Sequence, residues 1–204
     1  MSAREHGAEF WDSRYAGVAQ RWSANPNALM VELAGGLAPG RALDVGAGEG
    51  RNALYLARSG WRVTALDVSG VALERAAERA RVEQVELECV TGDWREFSPT
   101  ARFDLAVLAF MHPDADERGA MFARVGELLV PGGRLFVVGV DLAEHGRRGP
   151  KTADRLLTVE RVERALEGFE IVRCESVAYE GEGTEGRRPV RDVVAVARRP
   201  GADG

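Results

Sequence analysis

Between Arg41 and Asp67 the chain runs through a short apolar segment, a turn with three alternating glycines, a helical stretch and a second apolar segment. The first segment is Arg41-Ala42-Leu43-Asp44-Val45 and the turn is Gly46-Ala47-Gly48-Glu49-Gly50. Few folds accept this order. A glycine turn between a buried strand and a helix lets a ligand approach the backbone itself, because no Cβ stands in the way. The helix that follows offers unpaired N–H groups and its positive dipole end to an anionic group. An acid closing the next strand, here Asp67, accepts hydrogen bonds from two ribose hydroxyls, as in dinucleotide sites. The stretch predicts a nucleoside-bearing ligand lying across the carboxyl ends of two parallel strands.

At 204 residues the chain is long enough for one domain with a proper core. We place that domain over 1–204, with an N-terminal cap segment at 1–36 and a core at 41–198. The formal charge of -5 creates no global field favouring nucleic acid. Two cysteines, Cys89 and Cys174, sit in strand-like surroundings without a C-x-x-C pattern, as expected of reduced, buried thiols. No apolar run approaches the length of a membrane span. The polar start, Met1 to His6, lacks the apolar centre of a signal peptide, so a cytoplasmic location is expected.

Residues 1 to 8 are expected to fray. Phe10-Trp11-Asp12-Ser13-Arg14-Tyr15, with Trp22 beyond, brings large aromatics ahead of the first strand. Two readings stand: packing onto the sheet, or a cap that closes over the ligand and walls a substrate pocket. Asn25-Pro26 is expected to be N-cap and first residue of a helix that stops at Gly35-Gly36. Helices follow at 51–59 and, capped by Ser69, to about Arg81, with strands at 61–66, 85–90 and 103–109. The strand at 103–109 is nearly all apolar, hence buried on both faces. A helix from Asp114 or Asp116 carries Met121, Phe122, Val125, Leu128 and Leu129 at core spacing. Pro131-Gly132-Gly133 then turns the chain into a strand at 134–140. Thr158 opens a short helix, and strands at 169–179 and 190–197 flank a glycine- and charge-rich segment, 180–188, expected to be a mobile loop.

Strands alternating with helices predict a parallel sheet covered on both faces. The last two strands have no helix between them and must form an antiparallel hairpin, since a parallel crossover needs more chain.

The turn with Asp44 two residues ahead of Gly46, in the form D-x-G-x-G-x-G, resembles the first motif of the class I S-adenosylmethionine-dependent methyltransferases. The terminal hairpin fits the same family, and the likeness covers nearly the whole chain. Phe10-Trp11-Asp12-x-Arg14-Tyr15, Trp22, Asn25-Pro26-Asn27 and Gly48-x-Gly50-Arg51-Asn52-Ala53 further resemble small-molecule methyltransferases of the tellurite-resistance and thiopurine type. The resemblance implies an α/β, Rossmann-like sheet of seven strands in the order 3-2-1-4-5-7-6, strand 7 antiparallel, with helices on both faces. It also implies S-adenosylmethionine as cofactor and S-adenosylhomocysteine as product. Asp44, Gly46, Ala47, Gly48 and Gly50 would face the amino-acid and ribose portions. Asp67 would take the ribose hydroxyls with Val68 beside the adenine. Asp93 and Trp94 would receive the adenine, and Phe110 and Met111 would line the methyl end. Trp94 as a plain core residue and Asp93 as a turn former are the structural rivals.

A sulfonium methyl is already activated, so collinear placement of nucleophile, methyl and sulfur supplies much of the acceleration. A general base is needed only for an acceptor protonated at working pH. His112 is the best-placed candidate, against a reading as a loop histidine tied to the backbone. Tyr15 is a second candidate and Asp141 a weaker one, while His6 and His145 are expected to be solvated. No spacing suggests a metal site. Phe110-Met111-His112-Pro113 replaces the Asn- or Asp-Pro-Pro-aromatic tetrad of many amino-group methyltransferases, and no nucleic-acid module is appended. A small-molecule acceptor follows, with neither nucleic acid nor membrane as partner and a monomer or homodimer as the assembly. Arg147, Arg148 and Lys151 are either a solvated loop or an attractor for an anionic acceptor. An NAD(P)-dependent oxidoreductase and a non-catalytic cofactor-binding scaffold are the alternatives.

Overall fold

A computed structural model describes residues 7–18, 20–21, 23–183 and 186–201. Trp22, His6 and most of the stretch expected to fray lie outside the described residues. The seven strands form one sheet in the order β3-β2-β1-β4-β5-β7-β6. Two compact units divide after Val107.

The first unit contains α1 (Ala8–Ala16), α2 (Ala28–Gly35), β1 (Arg41–Val45), α3 (Arg51–Arg58), β2 (Arg62–Asp67), α4 (Gly70–Glu83) and β3 (Glu88–Thr91). Parallel pairing sets Val45 against Leu66 and Asp67 against Thr91, so the strand ends come level. Level ends matter because side chains leaving the carboxyl edge then share one rim. In α3 the apolar positions Ala53, Leu54 and Leu56 are buried on one side. In α4 the buried positions are mostly alanines, Ala72, Ala76 and Ala80, and small side chains allow close approach of the backbone beneath. Ser69 caps α4, its Oγ accepting from Ala72 N at 3.2 Å.

The strand β4 (Phe103–Ala109) leads into the second unit, which holds α5 (Ala115–Glu127), β5 (Leu129–Val140), α6 (Val159–Ala165), β6 (Glu170–Gly183) and β7 (Gly186–Arg198). Short 3₁₀ turns occupy Leu142–Glu144 and Ala153–Arg155. The core of this unit is built from Met121, Phe122 and Val125 of α5, the apolar run Leu135 to Val138 of β5, and Val193 to Ala197 of β7. Both β5–β7 and β6–β7 pair antiparallel, as the missing crossover requires.

Four local expectations are corrected. The cap of α2 is Asn27, whose Oδ1 accepts from Leu29 N and Met30 N, both at 3.1 Å; Asn25-Pro26 only leads in. Leu128 closes α5 and Leu129 already belongs to β5, so Pro131-Gly132-Gly133 lies inside the strand, bent at Gly132 with φ +78°. In the expected mobile loop at 180–188 the described residues, 180–183 and 186–188, are instead strand: Glu180 pairs with Pro189 and Gly181 with Arg188. Backbone pairing needs no apolar side chains, and composition alone misjudges a long two-stranded ribbon. Finally, both cysteines are free but only partly buried. Burial still pushes both thiols up, Cys174 to about 11 with nearby Glu163 adding.

Candidate functional site

In the first unit the turn after β1 carries three left-handed glycines, Gly46 at φ +69°, Gly48 at +55° and Gly50 at +75°. Gly46 N and Ala47 N both donate to Leu66 O, at 2.8 and 3.1 Å, which fastens the turn to β2. Asp67 completes the fastening. Its Oδ2 accepts from Gly48 N and its Oδ1 from Ser69 N, each at 2.8 Å. An ionised carboxylate has about four lone-pair positions, and these two bonds use one on each oxygen. Burial raises the Asp67 pKa, the N–H groups of Ser69, Gly48 and Val68 oppose that rise, and the charge of Asp12 adds to it.

Asp44 lies behind the turn, 1% exposed, with Oδ2 accepting from Ala53 N at 3.1 Å. Burial pushes its carboxyl up to about 7; the Ala53 N–H and Arg51 work against the shift and Asp67 adds to it. Val68 is half-buried between Asp67 and the capping Ser69. The Tyr15 hydroxyl stands 2.7 Å from where a Cβ on Gly48 would lie, so α1 reaches the turn directly.

Asp93 and Trp94 follow β3 and are half-buried. Asp93 Oδ1 accepts from Arg95 N at 2.9 Å, an Asx-type turn, and its Oδ2 is 2.8 Å from the Arg95 guanidinium. That guanidinium lies over the Trp94 ring, 4.5 Å from its centroid. Both groups named for adenine are therefore engaged by one arginine.

In the second unit, Phe110 leaves β4 with φ +59°, a left-handed conformation that is uncommon for a side chain of this size. Its N–H donates to Val138 O at 2.7 Å, and its ring centroid is 6.5 Å from that of His112. Met111 is half-buried. His112 Nδ1 lies 3.0 Å from Arg155 O, and Val140 N donates to Nε2 at 3.5 Å. A carbonyl can only accept, so Nδ1 carries the proton and Nε2 the lone pair. Burial pushes the imidazole down to about 4; the bond to Arg155 O opposes this, and the charges of Arg118, Arg148 and Arg155 reinforce it. Its folded pKa lies below the ordinary 6.5, so its contribution to stability is complete above about 6.5 and is lost as pH falls toward 4. We expect His112→Asn to narrow the stability gap between pH 7 and pH 4.5, and proton NMR of the wild type, with the His112 ring assigned from that variant, to show no titration of His112 near 6.5. A midpoint near 6.5 would overturn this placement.

Asp141 caps the 3₁₀ turn, accepting from Ala143 N at 2.8 Å and from Ser176 Oγ at 2.5 Å. Arg147 and Lys151 are exposed, but Arg148 pairs with the buried Asp192 and is no solvated loop residue. Asp192 also accepts from the Tyr179 hydroxyl at 2.5 Å. His145 is exposed, with Nε2 3.0 Å from Lys151 O. Among the described residues no group of three or more His, Cys, Asp or Glu side chains is arranged to hold a metal ion. No helix there is long and apolar enough to cross a membrane. Sequence reasoning gave no role to Glu49 and Arg75, which join the cap to the turn, or to Asp12, which joins it to the start of α4. Only Glu49, an acid set between two motif glycines, left a visible signal.

Residues 42–133 match the family described as Methyltransferase domain. Cypemycin N-terminal methyltransferase of a Streptomyces species is 32% identical over 129 residues, covering 57% of this chain and 52% of that protein. The chain thus spans about half the length of that relative. A solved structure concerned with conversion of a disulfide bond into a thioacetal group during echinomycin biosynthesis aligns with a TM-score of 0.79 at 21% identity, covering 97% of this chain and 93% of that one. The N-methyltransferase NodS from Bradyrhizobium japonicum WM9, in complex with S-adenosyl-l-homocysteine, aligns with a TM-score of 0.71 at 20% identity, over 92% and 96% of the two chains. Identities this low establish a shared fold and nothing finer. Residues 42–133, just under half of the chain, thus match a methyltransferase domain that begins in β1 and takes in the Asp44–Gly50 turn.

Proposed function

We propose that this chain catalyses methyl transfer from S-adenosylmethionine to a small-molecule acceptor, in the cytoplasm. The Asp67 carboxylate carries the proposal. The N–H groups of Gly48 and Ser69, with that of Val68, hold it rigid at the end of β2, level with the glycine turn, where an acid can accept from a ribose hydroxyl. The rest of the turn fits the same ligand. Left-handed Gly46 and Gly48 shape the turn without a Cβ, the Tyr15 hydroxyl standing where one on Gly48 would lie, and Asp44 is a buried acid to which the ligand's ammonium group is the natural complement. When bound, the cofactor supplies a methyl group activated by its sulfonium.

The residues of this chain then have holding tasks. Asp67 fixes the sugar and, through Gly48 N, the turn. Val68, Asp93 and Trp94 are the adenine contacts we propose, and Asp93 Oδ2, which takes one bond from Arg95, can accept a second from an exocyclic amine. Tyr15 presents its hydroxyl at Gly48. Phe110 and Met111 are proposed to line the methyl end, Phe110 held in its left-handed conformation by the bond from its N–H to Val138 O. For His112 we propose a positioning role, because both ring nitrogens already face main-chain groups. An acceptor that reacts as a soft anion needs no base, which suits this arrangement.

Isothermal calorimetry tests the proposal. S-adenosylhomocysteine should bind saturably to the wild type, and Asp67→Ala should weaken it at least tenfold, about 1.4 kcal/mol. Heat with NAD or NADP and none with S-adenosylhomocysteine would overturn it. Turnover across thiols, phenols, amines and carboxylates then finds the acceptor, and silence across all four favours a binding scaffold.

A further inference from the structure

The glycine turn has a second face. Glu49 stands between Gly48 and Gly50, and its side chain is directed to the N-terminal segment. Its Oε2 accepts from Arg21 N at 3.0 Å and its Oε1 from Arg75 Nη1 at 3.0 Å. The same guanidinium donates from Nη2 to Tyr15 O, in the last turn of α1, at 2.9 Å. Arg75 is therefore a fork with one prong on the turn and the other on the cap. Glu49 is buried to 7% exposure and Arg75 only partly, so the pair is shielded from water more than an ordinary surface ion pair.

The cap depends on such ties. α1 has nine residues, fewer than an isolated helix needs to hold its shape in water. Tyr15 is its one buried residue, so little apolar burial anchors it. Its remaining hold on the body of this unit includes Asp12, which accepts from Ser69 Oγ at 2.6 Å and lies near Asp67. Two polar anchors of the cap thus end on residues next to groups assigned above to the cofactor: Glu49 beside Gly48, and Ser69 two residues after Asp67.

We propose that Glu49 and Arg75 are positioning residues that couple cofactor occupancy to closure of the N-terminal cap. The inference rests on the cofactor site proposed above. A ligand seated on Gly48 fixes the backbone that aims Glu49, which fixes Arg75, which fixes the carboxyl end of α1. By reciprocity, a docked cap raises ligand affinity by the same factor that the ligand raises docking. Neither residue touches the reacting atoms.

Hydrogen exchange of the α1 amides, with and without S-adenosylhomocysteine, reads the coupling directly. In the wild type the ligand should slow exchange of Trp11 to Tyr15 about tenfold. Arg75→Met should abolish that slowing and speed ligand dissociation about tenfold. Arg75→Lys should restore part of both, because an ammonium still reaches Glu49 while the planar fork is lost. Glu49→Gln, which keeps an acceptor for Arg21 N, should fall between and serves if Arg75→Met fails to fold. Ligand bound by Arg75→Met with wild-type kinetics and a still-protected α1 would overturn the coupling. So would faster dissociation with α1 exchange unchanged. Absence of ligand binding to the wild type is a different result, which removes the cofactor reading itself.

Discussion

Asp44→Asn should make the ligand-free protein more stable at pH 8 while weakening S-adenosylhomocysteine binding at least tenfold. The folded pKa of about 7 lies above the unfolded value of 3.8. Between those values the native state holds a proton that the unfolded chain has released, so the contribution of Asp44 to stability falls as pH rises. A gap of this size corresponds to about 4 kcal/mol once both states are ionised. Asparagine carries no such burden and can still accept from Ala53 N. Urea melts should therefore show the variant ahead of wild type at pH 8 by up to about 4 kcal/mol, with the difference shrinking toward pH 4. His112 titrates in the same window with the opposite sign, so the variant-minus-wild-type difference is the quantity to follow, not the wild-type curve alone. Binding moves the other way. The ligand's ammonium favours ionised Asp44, so wild-type affinity should decline as pH drops below about 7, and Asp44→Asn should flatten that decline. A stability difference that is constant from pH 4 to pH 8 would refute this account of Asp44.

The second large effect is at Gly50. Gly50→Ala asks a residue with a side chain to hold φ +75° and places a Cβ 2.8 Å from the Cβ of Ala76. The left-handed conformation costs about 1–2 kcal/mol. Overpacking against α4 adds about 1–3 kcal/mol. We expect a total loss of about 2–5 kcal/mol by urea denaturation, together with loss of ligand binding, because relief requires the start of α3 to move. Gly119→Ala is the control. That glycine lies within α5 with open space around its missing Cβ, so alanine should be neutral or stabilise by up to about 1 kcal/mol. Ala76→Gly in the Gly50→Ala background should recover the contact part but not the conformational part. Equal, small effects at Gly50 and Gly119 would show that close packing against α4 is not what requires a glycine at the turn.

The difference between these two glycines also shows what a sequence conveys. Gly50 was legible because its spacing from Gly46 and Gly48, after a buried strand with Asp44 inside it, has few other uses. The terminal hairpin was legible because the chain between β6 and β7 is too short for a crossover. Boundaries were less legible. Leu128 and Leu129 continue a helical spacing, yet Leu129 pairs as strand, since tertiary hydrogen bonding outweighs a two-residue extension of periodicity. The segment 180–188 has a loop's composition, yet its described residues, 180–183 and 186–188, pair as strand, because a ladder is made by main-chain groups that composition does not report.

Side-chain roles divide along the same line. The places of Asp44, Asp67 and the glycines around the turn could be read from spacing, because they are set by a local strand–turn–helix unit. That Asp93 is held by Arg95, that His112 faces two backbone groups and that Arg148 is paired with Asp192 could not. Each depends on a partner whose approach is set by the fold, and a one-dimensional pattern carries no information about which donors meet which acceptors across a loop. What the sequence by itself determined was the order of elements, the terminal hairpin and the residues at the turn, since these follow from periodicity, glycine geometry and chain length, while the strand order came only with the family resemblance. What only the tertiary structure decided was the protonation and engagement of each polar side chain and the tie between cap and turn, since burial and distance in space govern both.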